Sequence, residues 1–301
     1  MKFDLQTLID LSTPQYLLVS IISPITAYMV MARQLPTIEI IPIIISLSLA
    51  VIWFNIMNMI FDAELDKLSK PNRPIPAGKV TRKEAAFIAT ISMALSLIIC
   101  IFTNLLFFAL LIVFFLVGHF YNSPRINFKK HLLASSTTGI ILYGAIPFLM
   151  AYSIYNQELP IIFLVFFSIL SFIIANSKDF EDYEEEKKLK ISSFPIKFGI
   201  EKTAKLLILS LIVLLAILTT MSAFGIIESR YLIAGFLSIL ISLMLSTPFW
   251  NEAKKIRYKQ IIISELKRDE LKTIITQSDA VTIFMISGVI IQIIYGFASI
   301  I

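Results

Sequence analysis

The 301-residue sequence has one cysteine, two histidines and nine glycines, and only 16% of it is charged. A lone cysteine rules out an intrachain disulfide. Cys100 lies in the apolar run from Ser96 to Phe102 and reads as a small buried apolar residue. His119 and His131 sit at the mouths of apolar runs without metal-ligand spacing. No glycine-rich phosphate loop occurs, and no low-complexity stretch reads as a disordered tail. Met1 to Pro14 carries Lys2 with Asp4 and Asp10, and no small-residue cleavage site follows the first apolar run. A removable signal peptide is therefore not expected.

What the sequence has in excess is apolar residues, at 57%, with a mean hydropathy of +0.84. Soluble domains average about 45–50% apolar and about 25% charged, so this chain is suited to a bilayer. Runs long enough to span, roughly 17–25 residues, fall at Tyr16–Met31, Ile40–Phe61, Ala85–Phe102, Leu105–Tyr121, Leu132–Tyr152, Ile161–Ser177, Leu206–Phe224, Tyr231–Trp250 and Ala280–Ile301. The third and fourth are separated only by Thr103-Asn104. Together they are too long for one span at ordinary tilt, so a hairpin is expected. The expected fold is all-α, a polytopic membrane bundle of about nine transmembrane helices forming one domain over 1–301.

Basic residues collect in the loops facing the cytoplasm. With nine spans, 24 of the 26 lysines and arginines fall on one side, and only Arg33 and Arg230 on the other. This sets the N-terminus and the basic loops inside and the C-terminus outside. The net charge of +5 is thus mainly a topology signal. Nucleic-acid binding would need a basic soluble surface with stacking aromatics, whereas the aromatics here lie in the spans.

Two acidic motifs end spans on the basic side. The first reads Asn55-Ile-Met-Asn58-Met-Ile-Phe-Asp62-Ala-Glu-Leu-Asp66, followed by a loop with Lys67, Lys70 and Arg73. Asn58, Asp62 and Asp66 recur every four residues and form a ladder on one helix face, with Asn55 a turn earlier. Like charges at that spacing destabilise a helix unless a cation compensates them. The second motif, Lys178-Asp179-Phe-Glu-Asp182-Tyr-Glu-Glu-Glu186, repeats the spacing between Asp182 and Glu186, with Asp179 three residues before Asp182. The two motifs, at 55–78 and 178–199, form a weak internal repeat. Magnesium takes oxygen ligands and is commonly held by one or two carboxylates together with substrate phosphates. Facing ladders can therefore hold Mg2+ ions bridged by a diphosphate, with Lys67, Lys70 and Arg73 neutralising the remaining phosphate charge.

These residues resemble the UbiA family of intramembrane prenyltransferases. Asn58-x3-Asp62-x3-Asp66 with Lys70-Pro-Asn-Arg73-Pro-Ile-Pro-Ala-Gly78 is similar to the family's first aspartate-rich motif. Lys178-Asp179-x2-Asp182-x3-Glu186 with Ser193-Phe-Pro-Ile-Lys-Phe-Gly199 is similar to the second, and Tyr121-Asn-Ser-Pro-Arg125 with Lys129 to the loop after the fourth helix. The resemblance implies that Asn58, Asp62, Asp66, Asp179, Asp182 and Glu186 hold Mg2+, with Asp62, Asp66 and Asp182 essential to catalysis. It implies diphosphate binding by Asn55, Lys67, Lys70, Arg73, Tyr121, Arg125, Lys129 and Lys178. The partners implied are an isoprenyl diphosphate donor, a lipophilic acceptor and the bilayer. An allylic cation would form in a lipid-accessible cavity to which Phe54, Phe61 and Phe120 are candidate contributors. Met59, Glu186, Glu185 and the pair Ile174-Ala175 depart from the family's usual residues.

The first loop and the Lys-Asp-x-Glu-Asp run look most like the archaeal ether-lipid branch, which transfers geranylgeranyl to geranylgeranylglyceryl phosphate. The Ser-Phe-Pro-Ile-Lys-Phe-Gly run resembles the chlorophyll-synthase branch, and an aromatic acceptor of the quinone type stays open. A cation-coupled transporter is the reading from another class. Transporter sites lie near the bilayer midplane, often on broken helices, yet no span here has an Asp or Glu in its interior.

Overall fold

The computed structural model describes residues 4–155, 158–180, 183, 186–187, 191–265 and 280–301. It is built of helices: α1 (Leu5–Ser12), α2 (Pro14–Ala32), α3 (Ile41–Phe61), α4 (Ala63–Ser69), α5 (Arg82–Cys100), α6 (Leu105–Asn122), α7 (Leu132–Gly139), α8 (Ile146–Tyr155), α9 (Ile161–Ser177), α10 (Phe194–Phe198), α11 (Ile200–Ala223), α12 (Arg230–Glu265) and α13 (Ala280–Ala298). Among the described residues, eight helical stretches are long and apolar enough to cross a membrane, and Met285–Ala298 is a shorter apolar helix at the ninth expected place. Large apolar side chains such as Leu105 and Leu116 of α6, and Ile233, Phe236 and Met244 of α12, are exposed on the outside of the bundle. Such faces are stable against lipid, where helices satisfy their own backbone polar groups.

The expected hairpin at Thr103-Asn104 is present. Asn104 caps α6 by accepting from the Phe107 backbone N–H at 2.9 Å, and its amide donates to Ser153 O at 2.8 Å. The start of α5 carries a capping box between Thr81 and Glu84. Serines bind the helices laterally: Ser46 and Ser96 exchange hydroxyl-to-carbonyl bonds between α3 and α5, at 3.2 and 2.8 Å. Ser23 donates to Gln292 Oε1 at 3.0 Å, and Ser299 to Met29 O at 2.7 Å, joining α13 to α2.

Two expectations are corrected, and one short helix adds to them. The fifth span is not a uniform helix over Leu132–Tyr152 but α7, a π-turn at Ile140–Ala145, and α8. Pro147 has no N–H to donate to the carbonyl of Tyr143, and its ring crowds that carbonyl, which favours a widened turn just before it. The stretch after the eighth span, expected as a loop, continues α12 to Glu265. A short helix, α1, precedes the first span; Asp4 caps it through a 2.8 Å bond from Thr7 N–H, and Leu5, Leu8 and Ile9 face outward. Arg33 and Arg230, the two basic residues set apart by the charge count, meet on Glu228. Arg230 also donates to Ser299 O at 2.8 Å, fastening the far end of the bundle.

Candidate active site

The first acidic motif forms a helix junction. Helix α3 ends at Phe61, Asp62 adopts φ −88° and ψ 1°, and α4 begins at Ala63. The backbone ladder nevertheless runs through it: Asp62 N–H donates to Asn58 O at 2.9 Å and Asp66 N–H to Asp62 O at 2.8 Å. The four-residue register predicted for Asn58, Asp62 and Asp66 is kept.

Each carboxylate of the ladder has its own cation. Lys129 Nζ lies 2.6 Å from Asp62 Oδ2, with the two side chains only 13% and 17% exposed. Arg73 Nη1 contacts both oxygens of Asp66, at 3.0 and 2.8 Å, and the Asp66 side chain is 1% exposed. Burial pushes the Asp66 carboxyl above the usual carboxylate range, and the Arg73 guanidinium pulls it back down. Asn58 is buried and donates to Asn122 Oδ1 at 3.0 Å, while Asn122 donates to Gly118 O at 3.1 Å. That pairing fixes the Asn58 amide. Asn55 donates to Ser12 O at 3.1 Å, tying α1 to the motif.

The ends of the two motifs share one cavity. The first contributes Asn55, Asn58, Met59, Lys70 and Arg73, and the second Lys178 and Asp179, which lie in a short 3-10 turn after α9. Thr13, Gln15, Tyr16, Val19, Phe54, Tyr121 and Tyr143 also line the cavity, with the Tyr16 and Tyr143 rings 5.9 Å apart. Helices α7 and α9 add Ser135, Ser136, Thr138, Ser171 and Asn176 to the lining. Ser136 donates to Asn176 Oδ1 at 2.8 Å and Asn176 to Phe172 O at 2.7 Å, so this polar wall is held in place.

Not every predicted residue reaches the cavity lining: Asp62, Asp66 and Lys129 lie outside it, whereas Asn58, Lys70 and Arg73 of the first motif and its loop line it. Lys67 is exposed and pairs with Glu64 at 2.9 Å, and Arg125 is also exposed. Glu186 is buried outside the lining, and Asp182 falls outside the described residues. Of the aromatics named from sequence, Phe54 lines the cavity, whereas Phe61 is exposed and Phe120 is not part of the lining. Sequence reasoning missed Asn122, Asn176, Tyr16 and Tyr143. An asparagine inside or ending an apolar run was the available signal for the first two; a tyrosine in a span carries no such signal.

The donors gathered here are oxygens of carboxylates and amides, a set suited to a hard cation such as magnesium. Among the described residues, no three acidic, histidine or cysteine side chains form a ready-made cation cluster. The ammonium of Lys129 and the guanidinium of Arg73 sit on the carboxylates that a divalent ion would use, so the first motif fits a metal that exchanges with them.

The chain is 30% identical over 149 residues to digeranylgeranylglyceryl phosphate synthase of Methanocaldococcus jannaschii, covering 48% of this chain and 50% of that protein. It is 24% identical over 201 residues to the enzyme of the same name from Sulfurisphaera tokodaii, covering 64% and 71%. With the first of these the chain aligns over only about half the relative's length. In fold it is similar to a UbiA homolog from Archaeoglobus fulgidus solved with DMAPP and Mg2+, with a TM-score of 0.68 at 20% identity, covering 98% of this chain and 99% of that one. The model of the UbiA prenyltransferase family matches residues 20–260, most of the chain, and the protein belongs to that family of multi-pass membrane proteins.

Proposed function

We propose that this protein is an intramembrane prenyltransferase that moves a geranylgeranyl group from its diphosphate to the hydroxyl of geranylgeranylglyceryl phosphate. One observation carries the reading: a single cavity is bounded by the ends of both acidic motifs and is otherwise walled by apolar and hydroxyl side chains. The charged end suits a diphosphate, and the apolar part suits a prenyl chain. The wall of Ser135, Ser136, Thr138, Ser171 and Asn176 suits a glycerol-type head group that needs several hydrogen bonds. The named relatives in archaeal ether-lipid synthesis support the same acceptor.

In this reading the whole chain, 1–301, acts as one domain. Asn58, Asp62, Asp66, Asp179, Asp182 and Glu186 hold Mg2+, which would supply positive charge to the leaving diphosphate. Lys70, Arg73, Lys129 and Lys178 bind phosphate oxygens, with Asn55, Tyr121, Lys67 and Arg125 supporting from the cavity edge and the adjoining loops. The C1–O bond of the donor breaks with its electron pair leaving on the diphosphate. The acceptor oxygen then bonds to the allylic C1, and its proton passes to the released diphosphate. The apolar wall of Val19, Phe54, Met59 and Ile174 keeps water from C1. The motif loops and N-terminus face the cytoplasm and the C-terminus the opposite side, as the basic loops require.

The test is competition between acceptors. Purified protein with Mg2+ and labelled geranylgeranyl diphosphate is given equal amounts of geranylgeranylglyceryl phosphate and a hydroxybenzoate. Labelled ether lipid is the expected product. Label in the hydroxybenzoate alone would replace this acceptor with an aromatic one.

A further inference from the structure

A second concave site lies between α11 and α12, which pack along each other. It is lined by Lys205, Ile208, Leu209 and Ile212 of α11 and by Ser246, Thr247 and Trp250 of α12, and it shares no residue with the cavity of the acidic motifs. Lys205, Leu209 and Thr247 are exposed, so this groove opens outward. It stands at the motif end of the bundle. Phe249, next to Trp250, is fully buried and packs on Phe180, one residue after Asp179, with 5.3 Å between ring centroids. Pro248 cannot donate to Met244 O, so the backbone ladder of α12 is broken at the level of the groove.

The charge of the groove gathers on Trp250. Lys205 Nζ, from α11, and Lys254 Nζ, one turn further along α12, each lie over the indole at 5.3 Å from its centroid. The ring face offsets part of their charge. Two ammonium groups so placed still repel each other, and a phosphate between them turns that repulsion into attraction. Among the described residues, no acidic side chain lines the groove. The open groove at the far end of the bundle differs, because there Arg33 is already balanced by Glu228.

The rest of the lining is apolar. Val213, four residues after Leu209, and Leu243, three before Ser246, are exposed and extend the same helix faces toward mid-membrane. We infer that the groove binds an anionic phospholipid of the surrounding bilayer. Its phosphate sits between Lys205 and Lys254, with the Thr247 hydroxyl as a further donor, and its first chain carbons lie along Ile208, Leu209 and Ile212. Basic pockets between spanning helices suit lipid phosphates, and tryptophan suits the membrane interface. A soluble phosphate would use the ammonium pair but leave the apolar lining unmatched.

The chain has two tryptophans, Trp53 and Trp250, so Trp53→Phe leaves Trp250 as the sole indole. This protein is reconstituted in phosphatidylcholine vesicles with a minor fraction of either phosphatidylglycerol or phosphatidylcholine brominated high in its chains, where bromine quenches a nearby indole. One lysine near a membrane surface is worth about fivefold in affinity for an anionic lipid. Phosphatidylglycerol should therefore quench at a mole fraction roughly 25-fold lower than phosphatidylcholine. Lys205→Gln and Lys254→Gln should each lose about fivefold of that preference, and Lys205→Arg with Lys254→Arg should keep it. Without the Trp53 substitution, phosphatidylglycerol should raise the melting temperature in detergent, and Lys205→Gln with Lys254→Gln should abolish the rise. Equal quenching by the two lipids, a preference that survives both glutamines, or no rise in melting temperature overturns the inference. Loss of the preference on adding inorganic phosphate would make a soluble anion the occupant, and quenching by neither lipid would mean that a second copy or another protein covers the groove; either result also overturns it.

Discussion

Lys129 reaches from the loop after α6 to place its ammonium 2.6 Å from the carboxylate of Asp62, 67 positions earlier in the chain. The pair is mostly buried, so removing one partner leaves a charge with little water to solvate it. Lys129→Met is expected to lower the stability of metal-free protein by about 1–3 kcal/mol, between the values for exposed and fully buried pairs. Added Mg2+ should restore more stability to the variant than to wild type, because the ion takes the place of the lost ammonium. Thermal unfolding in detergent with and without Mg2+ measures both effects. Equal metal responses would separate Lys129 from the metal site.

Arg73 opposes the effect of burial on Asp66, so its removal has a defined sign. In Arg73→Met the Asp66 carboxyl moves further above the ordinary carboxylate range. Metal binding needs the ionised form, and the acid limb of the Mg2+-dependent rate should therefore shift to higher pH. Stability of the metal-free variant follows linkage: a raised folded-state pKa favours the folded state below the unfolded value. That contribution is lost as pH rises through the folded value. A pH profile of kcat and a pH series of melting curves check the two signs. An unmoved acid limb would mean that Asp66 does not set it.

Asn122 touches Asn58 and is absent from the cavity lining, so its role is to orient Asn58. Asn122→Ala should leave the helices intact, cost about 1–2 kcal/mol through the buried amide left without its partner, and raise the Mg2+ concentration needed for half-maximal rate. Unchanged Mg2+ dependence would assign Asn122 to packing alone.

Gly144 sits where the π-turn meets α9. Gly144→Ala forces a Cβ to within 2.8 Å of Ser168 Cα and 3.0 Å of Phe167 O. Backbone atoms cannot yield as a flexible side chain does, so a loss of about 1–3 kcal/mol is expected. A melting temperature equal to wild type would show that the two segments can separate without penalty.

Much of this arrangement is legible in the sequence because it rests on local rules. The spans follow from apolar runs, and the turn at Thr103-Asn104 from length alone. The spacing of Asn58, Asp62 and Asp66 keeps its hydrogen-bond register even though the helix breaks at Asp62. What escapes is what depends on distant partners. Nothing near Asp62 announces Lys129, and nothing near Tyr16 announces Tyr143, because a tyrosine in an apolar run is ordinary until its neighbours are known. Helix α1 escapes for another reason: with eight residues it is too short to leave a periodic signal, and its position depends on Asn55.

The central claim is that the first acidic motif, through a metal, drives prenyl transfer in the shared cavity. Its most direct test is transfer of label from geranylgeranyl diphosphate to geranylgeranylglyceryl phosphate by purified wild-type protein and Asp62→Ala, each with Mg2+ and with excess EDTA. The account predicts transfer only by wild type with Mg2+, while the variant keeps the wild-type elution profile in detergent. Full transfer by Asp62→Ala, or by wild type in EDTA, would contradict it.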